Sequence, residues 1–123
     1  MADRVVLTIP DAPGFDRIAH LVVSGLAVRL NLTVENIEDL QTALDALIDG
    51  HGGDGELTVA LSLEDDELET RVGPLGQWLL DEIEREDAGE VLGVRRVLDS
   101  TVDDVHVDGD WVRLTKKVTI ADG

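Results

Sequence analysis

Two carboxylates four residues apart on a helix share a face and can hold a divalent cation, and Asp45 and Asp49 have that spacing. Asp49, His51 and Asp54 offer a second cation set, carboxylates with an imidazole among four glycines. Both have plainer explanations. Glu38, Asp45 and Asp49 fall on the polar side of an amphipathic pattern, and a glycine-rich joint between a helix and a strand carries polar residues anyway. Asp108-Gly109-Asp110 resembles a fragment of a calcium loop but lacks that loop's spaced oxygens and closing glutamate, and it lies between two strand patterns, where aspartate–glycine makes a hairpin turn. No metal centre is expected. His20 and His106 have no serine and aspartate at recognisable spacing, so no hydrolytic triad is read from them. Trp78 and Trp111 are two of only three aromatic residues; either could anchor a contact, and core packing is the reading preferred for both.

The 123 residues suit one domain, read as 1–123, and 43% apolar content can supply its core. Cysteine is absent, which excludes disulfides, thiolate metal sites and cysteine nucleophiles. Ten basic residues against 27 acidic ones leave a net charge of −17, which opposes nucleic acid and anionic membrane as partners. Asp3 stands where an export signal needs basic charge, and no apolar run reaches a membrane span, so a cytoplasmic location is expected.

The elements that must position any site follow from periodicity. Val5 to Ile9 is β-branched and stopped by Pro10, a strand. Phe15, Ile18, Ala19, Val22, Leu26 and Leu30 recur at helical spacing, with Gly25 inside the helix. Thr33 is the N-cap expected for a second helix whose stripe is Ile37, Leu40, Leu44, Leu47 and Ile48. The glycine-rich run from Gly50 to Gly55 is expected to end it. Leu57 to Leu63 and Glu67 to Val72 alternate as a hairpin, and Gly73-Pro74 breaks it. Two short helices follow, one with Trp78, Leu79 and Ile83, the other with Val91, Leu92, Val94 and Leu98. Val102, Val105 and Val107 pair with the strand from Trp111 in a closing hairpin. The order β, α, α, β, β, α, α, β, β predicts an α+β fold: a two-layer sandwich with a mixed, mostly antiparallel sheet covered on one face by helices.

Asn36-Ile37-Glu38-Asp39-Leu40-Gln41-Thr42-Ala43-Leu44 resembles the second helix of the anti-sigma factor and serine-protein kinase family, a bacterial branch of the GHKL (Bergerat-fold, histidine-kinase-like) ATPases. The likeness runs along nearly the whole chain, through Leu26-Ala27-Val28-Arg29-Leu30-Asn31, the central hairpin and Trp111 to Lys117. It implies three ATP-binding motifs. The general-base glutamate and the magnesium-binding asparagine of the second helix fall on Ala46 and Gly50, which offer a methyl group and a hydrogen. The adenine-binding aspartate and its two glycines fall on Arg71, Gly73 and Leu75; arginine cannot accept from the adenine amine. The phosphate lid keeps Gly89 and Gly93, with Glu90 adding an anion and Val91 at a glycine position.

What the resemblance implies is therefore a degenerate GHKL domain with no catalytic residue and no bound ATP or magnesium. It would regulate transcription by binding a sigma factor or an anti-sigma antagonist, and homodimerisation would also follow. The partner face would be the first helix, with Arg17, His20 and Arg29. Two alternatives stand beside this: an active ATP/magnesium-dependent serine-protein kinase using Asp45 and Asp49, and an unrelated acidic binding module.

Overall fold

The structure, a computed structural model, describes residues 3–9, 32–51, 55–84 and 94–118, together with positions 17, 21, 24, 25, 28 and 29. Five strands and three helices occur in the order β1 (Asp3–Ile9), α1 (Val34–His51), β2 (Leu57–Glu64), β3 (Glu67–Gly73), α2 (Gln77–Glu84), α3 (Val94–Thr101), β4 (Asp104–Asp108) and β5 (Trp111–Lys117). The six positions between 17 and 29 are helical, and Gln41 of α1 donates a hydrogen bond to Ser24 among them.

The strands form one sheet in the order β1-β2-β3-β5-β4. Period-two alternation sends one side chain in two to each face, and the register turns this into rows. Leu7, Val59, Val72, Val112 and Val107 form one row across all five strands, and Val5, Leu61, Thr70, Leu114 and Val105 form the next. Both face the helices. There Leu40, Ala43, Leu44 and Leu47 of α1, Leu79, Leu80 and Ile83 of α2 and Leu98 of α3 complete a single core. Each such leucine contributes about 1.5–3 kcal/mol by leaving water, so the sandwich holds because a continuous apolar face of the sheet meets a continuous apolar helix layer.

Local chemistry fixes the element ends. Thr33 caps α1: its Oγ1 accepts from the Asn36 amide at 3.3 Å, and its carbonyl accepts from the Ile37 amide at 3.0 Å. Both hairpins close through two residues, Asp65-Asp66 with Asp65 at φ 56° and Gly109-Asp110 with Gly109 at φ 62°. Lys116 joins three elements, its Nζ donating to Asp39 Oδ2 of α1 at 3.1 Å and to the Thr101 carbonyl at the end of α3 at 2.8 Å. A cation at a helix C-terminus also complements the helix dipole.

The α+β two-layer arrangement is the one predicted, with four corrections. All four strand pairings are antiparallel, because the connection through α2 and α3 returns β4 parallel to β3 but one place further out, and β5 runs back between them; the mixed sheet is not found among the described residues. α1 continues through Gly50 and His51, because a helix's last turn tolerates glycine more readily than its interior. Val102 follows α3 as a buried residue and precedes β4. Trp78 is 66% exposed, outside the core expected for it, because the inward positions of α2 are taken by Leu79, Leu80 and Ile83. Val91, Leu92 and the predicted helix stripe of Phe15, Ile18, Ala19, Val22, Leu26 and Leu30 lie outside the described residues. No described helix is long and apolar enough to cross a membrane.

Candidate functional site

α1 carries the positions where the family resemblance expects magnesium and water to be handled. Ala46 is half-buried there, one turn before Gly50 and one turn after Ala43, which is fully buried. Spacings of three and four put Asp39, Ala43, Ala46 and Gly50 on one stripe. Its one charged member, Asp39, is held by Lys116. Asp45 lies off that stripe, also half-buried and hydrogen-bonded or paired. Asp49 is in the same helix, one turn further on. The side chains of Asp49 and His51, and Asp54 entirely, fall outside the described set, so the proposed cation loop is not placed. Among the described residues no three His, Asp or Glu side chains converge as a metal site.

The end of β3 carries the positions expected to meet adenine. Arg71 is exposed on the face of the sheet opposite the helices, its Nε 3.3 Å from Glu69 Oε1. It therefore points away from α1. Gly73 has a reason of its own to be glycine: a Cβ there would sit 2.5 Å from Cδ2 and 2.7 Å from Cγ of Trp111. Its missing side chain admits the indole. Leu75 is 5% exposed, and its amide donates to the Asp110 carbonyl at 2.7 Å, tying this loop to the β4–β5 turn. A frame three residues later would put Pro74 at the aspartate position and Gly76 at the first glycine, and a proline side chain has no acceptor either. Gly89, Glu90, Val91 and Gly93 lie outside the described residues.

The structure also places part of the expected partner face. Arg17 and Arg29 are exposed and helical, while His20 lies outside the described residues. Between the two arginines Leu21 is 67% and Val28 63% exposed, and among the described residues nothing lies within 4 Å of where a Gly25 Cβ would sit. Sequence reasoning passed over Leu21 and Val28. The available signal was that both are apolar yet fall off the stripe that the predicted helix buries, seven residues apart on another face. His106 is exposed on edge strand β4, with no serine bonded to it among the described residues.

No protein-family model matches the chain. It is similar to the serine-protein kinase RsbW of Listeria monocytogenes serovar 1/2a, 30% identical over 140 aligned positions, covering 96% of this chain and 89% of the relative. RsbW of L. monocytogenes serotype 4a and of Listeria innocua are each 35% identical over 83 residues, and there the chain spans about half of the relative, 53%. Among solved structures, the fold matches the crystal structure of the RsbU and RsbW domains of Rv1364c from Mycobacterium tuberculosis, with a TM-score of 0.70 at 16% identity. That match covers 94% of this chain and 32% of the larger one, and it bears on fold alone.

Proposed function

The chain belongs to the family of RsbW serine-protein kinases, and from that membership we propose that it is an anti-sigma regulator that works by stoichiometric protein binding, with ATP binding and kinase activity lost. The observation that carries the second half of this reading is Ala46 and Gly50 on α1. A magnesium-bound triphosphate needs oxygen ligands and an oriented base, and these two positions offer neither. ATP and magnesium therefore do not fit the donor set.

A protein partner, a sigma factor or an anti-sigma antagonist, would dock on the helical face that exposes Arg17, Leu21, Gly25, Val28 and Arg29. Exposed apolar residues supply contact area, the flanking guanidiniums orient acidic groups, and the glycine allows close backbone approach. The test is capture of purified sigma factors and antagonists by the tagged protein without nucleotide. A stoichiometric complex is expected, weakened at least about tenfold by Arg17→Glu with Arg29→Glu. Capture that requires ATP, or survives both substitutions unchanged, contradicts the reading.

A further inference from the structure

The face of the sheet away from the helices carries a row of its own, Val6, Ala60, Arg71, Arg113 and His106, one residue from each strand. Beside it Thr58, Gly73 and Trp111 form the next row towards the β4–β5 turn. The middle of these rows is short, Thr58, Ala60 and Gly73, whereas Arg4, Arg71, Arg113 and Trp111 stand around it. The result is a trough of about 360 Å³, a volume within the range of small-molecule sites. No described element covers it, and Val6 on its wall is 55% exposed.

Three observations point to an anionic occupant. Arg4, Arg71 and Arg113 line the trough against a single carboxylate, Asp108, in a chain whose acids outnumber its bases 27 to 10. Arg71 and Arg113 are direct cross-strand partners, a like-charge placement that costs stability unless an anion lies between. Glu69 offsets this in part, but one carboxylate oxygen serves both, 3.3 Å from Arg71 Nε and 3.7 Å from Arg113 Nε. Among the described residues both ion pairs use Nε, so the terminal NH₂ groups of both forks remain for a second oxyanion. Arg4 has no ion pair or hydrogen bond among the described residues. Finally, the Trp111 indole, seated over Gly73, provides a rigid flat wall at one end.

We propose that this trough binds a small organic oxyanion, a carboxylate or phosphate carried on a planar ring, with its oxygens between Arg71 and Arg113 and its ring against Trp111. The site lies on the opposite face of the sheet from α1, so it neither rests on nor competes with the reading of the protein as a nucleotide-free regulator.

Trp78→Phe leaves Trp111 as the sole tryptophan, and its fluorescence then reports on the trough. Benzoate and phenyl phosphate are the anionic probes, with benzyl alcohol as the neutral control. A saturable change with one or both acids and none with benzyl alcohol is expected, the tighter acid naming the group recognised. Arg71→Gln with Arg113→Gln should weaken binding at least about tenfold. In the unsubstituted protein the amide shifts induced by the probe should fall on β3 and β5, a readout that needs no variant to fold. The proposal is overturned by no saturable binding up to about 10 mM, by binding indifferent to the double substitution, or by shifts on other elements. It is equally overturned if sedimentation shows a dimer that the same double substitution dissociates, because the face would then be a contact between two copies.

Discussion

At Gly73 hydrogen is the one substituent that the Trp111 ring leaves room for. The same glycine fits a nucleotide-binding motif in the sequence, so a residue can match a pattern and owe its identity to packing on the other side of the sheet. Gly73→Ala should cost about 1–3 kcal/mol through overpacking, measured by urea unfolding, and most of that cost should vanish when Trp111→Leu is present. A neutral Gly73→Ala would remove the packing explanation. Arg71 teaches a related lesson. Arginine is donor-only wherever it stands, but that it lies on the far face is not visible from its type. That depends on strand parity, which the alternation of Leu68, Thr70 and Val72 in principle contained. Leu21, Val28 and the Arg71–Arg113 pairing were harder to foresee, since exposure and cross-strand contacts emerge only from tertiary structure.

Most of the elements could be read from periodicity because each buries one face. β2 alternates without a break, and α1 repeats leucine at helical spacing from Leu40 to Leu47. The end of α1 was misplaced because glycine lowers helix propensity without forbidding the last turn. The β2–β3 turn is closed by an aspartate in the left-handed region, where an L side chain crowds its own carbonyl and glycine does not. Asp65→Gly should therefore raise the unfolding free energy by about 0.5–1 kcal/mol, the relief exceeding the added freedom of the unfolded chain. Thermal and urea unfolding would check this, and a loss of stability would show that the Asp65 side chain supports the turn in another way. The opposite hairpin already has Gly109 at its positive-φ position and provides an internal reference.

For the molecule as a whole, a net charge of −17 repels a triphosphate before any contact is made, so uptake would need a cation and a cradle of donors to compensate. The α1 positions where the resemblance expects the base and the magnesium ligand hold a methyl group and a hydrogen, and Arg71, at the position expected to meet adenine, faces the other way. The described residues present an RsbW-like fold with an arginine-flanked apolar stripe on one helix and an arginine-lined trough on the sheet. Titrating the protein calorimetrically with ATP and excess magnesium chloride, with melting followed in parallel, tests the central claim most directly. No saturable heat and no rise in Tm up to about 1 mM ATP are predicted, whereas ligand at a hundredfold excess over Kd would stabilise the native state by about 2.7 kcal/mol. A one-site isotherm with a micromolar Kd, accompanied by that rise in Tm, would contradict the account.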